Sequence, residues 1–430
     1  MNKHFAGIVL VALAAPAWGR QTPAASEPAA TTAEIQALLD RRIDDVAAVM
    51  LGKLPPEQVF AAEFLAQVPA PQLAAMQAQL VAGYGPLSAD GSVTATGATE
   101  GTFVLLFARA EARGTISLTR QSPHRVIGLR IADVTPTGDS VAALTKDLAA
   151  LPGTVNAWFG PLAGGTPRFA INADRPLALG STFKLYVLAA LQRRIAAGDL
   201  SWDRVIPLSA RSFPSGLTQD WPAGSPVTVQ TLATLMLQVS DNTATDQLIA
   251  LLGRDVVEAE YRRTVKSDGA TLPFLTTREM FAIKSDPAFR SRYAAANESG
   301  RRALLANLPE PTLAQVSAVF AGAPVAIDRI EWFGTPTELA ELLAGFTGAE
   351  QPTARAILSA EKGLAPDIAA KWDYVGFKGG SEPGVLNLTW LLRDKAGAWH
   401  VATLGWNDPA APVDQAKLVA LANRMLALTE

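Results

Sequence analysis

The sequence has no cysteine and three histidines, His4, His124 and His400, and these scarcities remove chemistry before any motif is read. Without a thiol there is no cysteine nucleophile, no disulfide and no cysteine-rich metal site. His4 falls in a leader-like segment. His124 sits in Ser122-Pro123-His124-Arg125, which reads as a hairpin tip, and His400 alternates with apolar residues in a strand pattern. Both are expected at surface or half-exposed positions, whereas a zinc hydrolase or a Ser-His-Asp enzyme would need one of them in its site. Neither a metal nor a cofactor is expected. Charge of one sign is lacking too. The net charge of −3 implies no nucleic-acid partner and no polyanion-binding face. Doublets such as Arg193-Arg194 and Arg301-Arg302 read as solvated helix faces. Beyond the leader no apolar run approaches transmembrane length.

What is present is a chain of 430 residues, 49% apolar, enough for a sizeable core and more than one domain. Residues 1–19 carry Lys3 and His4, an apolar run from Phe5 to Ala15, then Pro16-Ala17-Trp18-Gly19. That pattern is a secretory signal cut after Gly19, so the product is expected to be secreted, periplasmic in a Gram-negative cell, with no stable membrane anchor. Residues 20–31, rich in Ala, Pro, Thr and Ser, form a linker. Residues 32–135 then make a small α+β domain. Thr32 is expected to cap a helix with Ile35, Leu38, Leu39, Ile43 and Val46 on one face, and helical patterns follow at 57–65 and 72–81. The period then drops to two, with strands expected at 92–97, 102–110, 114–120 and 126–132. This domain shows no catalytic constellation, and a docking or dimerisation role suits it best; the oligomeric state is not legible.

The second domain, residues 139–430, opens with a helix at 140–151 and strands at 155–159 and 168–172. Gly180-Ser181-Thr182-Phe183-Lys184 follows, just before the apolar run Leu185–Leu191. If Ser181 opens a helix, Ser181 and Lys184 share one face, an arrangement that suits a nucleophile and its base. First-turn N–H groups would point at whatever the hydroxyl attacks. Downstream, a helix at 229–239 with Thr228 as cap runs into Ser240-Asp241-Asn242 and a second helix at 243–252. By itself that polar triplet is an N-cap and turn. Beside a Ser-x-x-Lys, Ser240 could pass a proton between the nucleophile and a leaving group, and Asn242 could hydrogen-bond a substrate amide. A strand at 372–377 leads to Lys378-Gly379-Gly380-Ser381, followed by strands at 385–393 and 398–406 and a helix at 413–428. Glycine weakens a strand but admits close backbone approach. Lys378 and the Ser381 amide could thus face a bound carboxylate and carbonyl; the alternative is a turn with a solvated lysine.

Taken in order, Ser181-Thr182-Phe183-Lys184, Ser240-Asp241-Asn242 and Lys378-Gly379-Gly380 resemble the signature of class A β-lactamases and penicillin-binding proteins. The resemblance covers residues 140–430. The run Ser-Asp-Asn-Thr-Ala-Thr-Asp, Phe183, the Lys-Gly-Gly-Ser form and the extra module in front look closest to the β-lactamase-like serine hydrolase branch of the clavulanate pathway. The module itself is similar to NTF2-like and cystatin-like domains. The fold implied is α+β with two domains: a small helix-plus-antiparallel-sheet domain, then a β-lactamase-like αβα domain whose central antiparallel sheet carries an all-helical subdomain. The chemistry implied is acyl transfer through Ser181. Lys184 serves as base, its pKa depressed by burial and by Lys378, and Ser240 assists. The Ser181 and Ser381 amides, beside Gly380, form the oxyanion hole, Lys378 attracts a substrate carboxylate, and Ser215 in Pro214-Ser215-Gly216 lines the rim. The substrate implied is a small acyl donor: a β-lactam, an ester or a peptidoglycan-like peptide. A peptidoglycan DD-peptidase, a true class A β-lactamase and a non-catalytic penicillin-binding module are the alternatives. Two departures matter. Gly379 fills the middle of the last motif, and no Glu-x-x-Leu-Asn segment lies between Asn242 and Lys378. That interval instead holds an insertion at 271–325, with Thr276-Thr277-Arg278-Glu279 and a polar helix near 290–305. Glu331 is the nearest substitute for a deacylating carboxylate, though it reads as a surface residue. Weak β-lactam turnover is therefore expected.

Overall fold

The computed structural model describes residues 31–88, 91–137, 140–266, 272–348, 352–364 and 366–428; the leader and nearly all of the linker lie outside them. The chain divides between Ser140 and Val141 into two compact units.

In the first unit the helix Thr32–Met50 is capped by Thr31 rather than Thr32, in a reciprocal box with Glu34. It buries Leu39, Ile43 and Val46 against a four-stranded antiparallel meander: β1 (Ser92–Ala95), β2 (Glu100–Phe107), β3 (Ala110–Leu118) and β4 (Val126–Pro136). β2 and β3 alternate buried and open residues, as a half-covered sheet must. The helical pattern at 57–65 is split into Pro56–Val59 and Ala62–Gln67. Phe60 leaves helical conformation to bridge Val126 of β4, and the Ala61 N–H donates to the Val126 carbonyl at 2.8 Å. Tertiary pairing there overrides helical propensity. His124 lies in the β3–β4 connection, half-exposed as expected.

The second unit is built on a five-stranded antiparallel sheet. Its strands in chain order are β5 (Thr154–Pro161), β6 (Phe169–Ile171), β11 (Tyr374–Glu382), β12 (Val385–Arg393) and β13 (Trp399–Asn407). In space they run β11-β12-β13-β5-β6. Between them come two short pairs, β7 (Leu177–Ala178) with β10 (Phe333–Gly334) and β8 (Val205–Pro207) with β9 (Pro226–Thr228). Helices Val141–Ala149 and Gln415–Ala427 pack together, and the second lies on β12 and β13; helix Pro336–Ala344 lies on β13 and β5. With both faces covered, β12 is buried over eight successive residues. The same cover overturns the expectation for His400: it is buried in β13, with Nε2 2.9 Å from Asp394 Oδ2.

The helical subdomain surrounds Lys184–Ala196, whose residues 184–188 are all buried. Helices Val229–Gln238, Asn242–Leu252 and Arg254–Thr264 pack around it. A helix apolar on every side belongs at the centre of a bundle. The insertion is helical throughout its motifs. The expected helix at 290–305 is two, Pro287–Ala295 and Glu298–Leu305, the second capped by Asn297.

Gly114 marks the tightest point of the first sheet. A methyl there would lie 2.0 Å from the Arg130 carbonyl oxygen and 2.5 Å from Phe103 Cζ. Gly114→Ala must push β3 off β4, and the expected destabilisation is about 2–4 kcal/mol. Thermal unfolding of the purified variant measures it; an unchanged midpoint would contradict the close approach.

Candidate active site

Three stretches far apart in sequence meet at one place. The β7–β10 pair brings the chain to the turn before the central helix, where the Leu179 N–H donates to the Trp332 carbonyl at 2.8 Å. Gly180, at φ +48°, starts a 3₁₀ turn over Gly180–Phe183 that passes into the α-helix at Lys184. This refines the expected helix start. In the tighter turn residues i and i+3 eclipse, and the Lys184 N–H donates back to the Ser181 carbonyl. Ser181 and Lys184 thus occupy one side of a single turn. Phe183 stacks on Trp332, with ring centroids 3.7 Å apart, and anchors that turn in the core.

The second stretch, Ser240-Asp241-Asn242, is the N-cap and turn that the triplet suggests by itself, and its flanking residues also contact the buried Lys184 amine. Asp241 caps helix Asn242–Leu252. Its Oδ1 accepts from the Ala244 N–H (2.8 Å) and the Thr218 hydroxyl (2.7 Å), and its Oδ2 from the N–H groups of Leu217 (2.7 Å) and Thr218 (2.8 Å). The cap therefore also shapes the loop carrying Ser215. That loop comes so near that a methyl on Gly216 would lie 2.4 Å from Asp241 Cγ. The flanking residues face the buried amine. Lys184 Nζ contacts the Ser240 carbonyl at 2.7 Å, Ser240 Oγ at 3.0 Å and Asn242 Oδ1 at 2.8 Å. Asn242 donates through Nδ2 to the Phe213 carbonyl (3.1 Å), so both ends of its amide are engaged by the protein. Ser215, exposed on the rim, donates to the Ser240 carbonyl at 2.9 Å.

The third stretch is no turn. β11 continues through Lys378, Gly379, Gly380 and Ser381 to Glu382, in unbroken register with β12. Gly380 carries the close approach that its residue type suggested. A methyl on it would lie 2.1 Å from the Leu179 carbonyl oxygen and 2.5 Å from the amide nitrogens of Ser181 and Thr182. A methyl on Gly180 would reach the Ser381 nitrogen at 3.0 Å. The Ser181 and Ser381 amides therefore flank one backbone contact. Ser381 is exposed and Ser181 half-buried, while Lys184 and Lys378 lie beneath them.

Two lysines so placed cannot both be ordinary ammonium groups. Burial lowers the Lys184 amine well below the usual lysine range, and the charge on Lys378 lowers it further; the Asp241 and Asp246 carboxylates oppose this. Burial brings Lys378 down to about 7, and its Nζ donates to the Gly379 carbonyl at 2.5 Å. Asp246, quoted in the sequence only as the last residue of the Ser-Asp-Asn-Thr-Ala-Thr-Asp run, is buried and pushed up to about 6 by that burial. It accepts from the Thr277 N–H (2.7 Å), the Thr277 hydroxyl (2.9 Å) and the Arg278 N–H (2.9 Å), tying the insertion to the Asn242 helix. Glu331 corrects the sequence reading. It is buried, not on the surface, and is paired with Lys284. Among the described residues no cluster of His, Cys, Asp and Glu is suited to a metal ion, and no helix is long and apolar enough to cross a membrane.

Residues 139–301 match the family model described as the β-lactamase enzyme family. Among solved structures, a β-lactamase from Sphaerobacter thermophilus is 24% identical, covering 67% of this chain and 94% of that one, with a TM-score of 0.44. An acyl-enzyme complex of a PBP-A variant with penicillin G is 16% identical, with the same coverages and a TM-score of 0.46. A β-lactamase from Xanthomonas campestris is 18% identical, again over 67% and 94%, with a TM-score of 0.44. No curated protein matches. The second unit has a β-lactamase-like fold.

The depressed Lys378 carries a stability signature. In the native state it is neutral above about pH 7, whereas in the unfolded chain it stays protonated to about 10.4. Between those values the unfolded state binds the extra proton, so this lysine makes stability rise with pH, by at most ~1.4 kcal/mol per unit. The thermal midpoint of the wild type should therefore gain on that of Lys378→Met as pH goes from 7 to 10. A constant difference between the two would show Lys378 titrating normally.

Proposed function

We propose that this protein is a secreted serine hydrolase that transfers acyl groups through Ser181, with a β-lactam or a small ester as acyl donor and slow β-lactam turnover. The single observation that carries the reading is the buried Lys184 amine, one turn from Ser181 and ringed by three acceptors. A neutral amine has two N–H donors and one lone pair. The Ser240 carbonyl and Asn242 Oδ1 can only accept, so they take the two N–H groups, and the amphoteric Ser240 hydroxyl meets the lone pair. When Ser181 Oγ attacks the substrate carbonyl, the Ser240 hydroxyl turns off the lone pair and Lys184 takes the Ser181 proton there. The resulting ammonium has three donors for the same three acceptors, and only the Ser240 hydroxyl need turn. Ser240 then gives its proton to the leaving nitrogen or oxygen and recovers one from Lys184, so that Lys184 ends neutral and Ser181 ends acylated.

The oxyanion formed on the way sits between the Ser181 and Ser381 amides, a stabilisation typically worth ~3 kcal/mol per donor. Lys378, at the end of the cleft, captures a donor carboxylate while it is charged. Ser381, exposed beside it, is the hydroxyl available where Gly379 offers none. Glu331, the nearest substitute for a deacylating carboxylate in the sequence, is held by Lys284. The acyl-enzyme is expected to outlive the acylation step.

Intact-mass spectrometry after incubation with penicillin G tests the reading. The wild type should gain one acyl adduct, Ser181→Ala none, and Lys184→Ala none within the same period; a wild type without adduct, or an adduct on Ser181→Ala, would falsify acyl transfer at this site. The charge on Lys378 makes a separate prediction. Capture of an anionic penicillin should weaken as pH rises through about 7, while acylation by a neutral ester should show no loss in that interval, any decline lying at higher pH. Equal pH dependence for both donors would remove Lys378 from substrate capture.

A further inference from the structure

Three ionisable side chains that this chemistry leaves unused meet in the interior beside the site. Lys284, fully buried on helix Thr277–Ser285, donates to Glu331 Oε1 and to Glu382 Oε1, each at 2.5 Å, and both carboxyls are themselves nearly closed to solvent. Each member comes from a different wall. The Lys284 helix packs on Asn242–Leu252. Glu331 precedes Trp332, whose ring lies against Phe183 and whose carbonyl holds Leu179. Glu382 ends β11, directly after Ser381. Side chains alternate along a strand, so Glu382 shares its face with Lys378 and Gly380, the face turned towards Leu179 and Ser181.

The cluster holds two carboxyls for one ammonium, and a structural ion pair needs only one. Glu331 Oε2 is buried and no N–H or hydroxyl donor reaches it, while the Glu382 carboxyl lies in hydrogen-bonding reach of Glu331. One proton between the carboxyls completes the arrangement, leaving one ammonium, one carboxylate and one neutral acid. Burial first, then the neighbouring Glu331 charge, keeps Glu382 protonated well above the usual carboxylate range. Against the cost of burial, Glu331 and Glu382 keep Lys284 charged.

We propose that Glu382, clamped by Lys284 and Glu331, is a positioning residue for the Ser381 amide: the cluster ties the end of β11 to the segment beneath Ser181 and holds the oxyanion site around a single shared proton. The proposal rests on the acyl-transfer reading only for the activity through which it is seen. Loss of the proton leaves two carboxylates side by side, and their repulsion frees the strand end. Lys284 and Glu331 are the ionisable groups acting on Glu382. The charged groups around them are engaged elsewhere: Arg290 donates to the Lys284 carbonyl, the Asp408 carboxylate accepts from the Ala410 N–H, and Asp328 pairs with Arg329 at the surface. Lys378, on the same face of β11, donates to Gly379.

The test compares wild type, Glu382→Gln and Glu382→Ala in two measurements. One is the rate of acylation by a neutral ester across pH. The other is hydrogen exchange of the peptide covering the end of β11, corrected for the intrinsic pH dependence. The wild type should acylate more slowly, and exchange faster, on the alkaline side. Glu382→Gln cannot ionise, so its alkaline loss should vanish in both. Glu382→Ala should acylate at least tenfold more slowly at every pH and exchange at least tenfold faster. An alkaline limb in Glu382→Gln equal to that of the wild type overturns the proposal, because a merely structural residue would leave that limb in place. If the wild type takes no adduct yet exchange follows the expected pattern, acyl transfer fails and the positioning of Ser381 stands. If acylation depends on Ser181 but neither Glu382 variant alters rate or exchange, the positioning fails and acyl transfer stands.

Discussion

The site depends on an amine kept out of water without a counter-ion in contact. Lys184 is fully buried, and its three contacts are a carbonyl, a hydroxyl and a side-chain amide, none of them charged. Burying an ammonium with such partners is costly, and the burial lowers the Lys184 pKa well below the usual lysine range. A carboxylate in place of Asn242 would restore the charge and, on the proposed mechanism, remove the base. The nearest carboxylate, Asp241, is turned away by four donors of its own, at Leu217, Thr218 and Ala244. The N-cap thus does two jobs with one residue. It ends the backbone's deficit at the helix start, and it keeps negative charge from binding the lysine.

Backbone contact sets the opposite wall. β11 and the 3₁₀ turn approach until no side chain fits at Gly380, and this brings the Ser181 and Ser381 amides to one point. Neither partner moves freely. The turn is held by Phe183 on Trp332 and by the β7–β10 pair, and the strand by full register with β12. In the proposed acyl transfer such preorganised donors would lower the barrier, because they are already aimed where charge develops.

What could be read from the sequence, and what could not, divides along the range of the interactions. The Ser-x-x-Lys spacing, the cap at Asp241 and the meander of β1–β4 rest on local rules of period and capping, and the folded chain follows them. The order of three motifs, joined to a resemblance, brought Ser181, Ser240 and Lys378 together, which no single motif could have done. The misses are long-range. Phe60 breaks a helical pattern because Val126, distant in sequence, offers it a partner. His400 and Glu331 look solvent-facing in their own windows and are buried by elements that those windows do not contain. Asp246 stood out only as the end of the Ser-Asp-Asn-Thr-Ala-Thr-Asp run, with no role attached, and Lys284 and Glu382 gave no signal, since a charged residue in a helix or at a strand end reads as surface until its partners are known. A Lys-Gly-Gly-Ser run reads equally as a turn or a strand, and the Leu179 backbone decides between them.

On the proposed acyl transfer, the acceptor set around Lys184 also bears on how the site would accelerate the reaction. A shell that bound the ammonium far better than the amine would hold the proton before the reaction and leave no base. A shell that bound only the amine would resist the charge that attack creates. Two obligate acceptors and one reversible hydroxyl serve both states with little movement of heavy atoms, so little reorganisation is charged to the transition state. The Lys378 charge then tilts the balance towards the free base before attack. Ser240 cannot be exchanged for alanine without losing that reversibility, because only a hydroxyl can accept from one form of the amine and donate to the other.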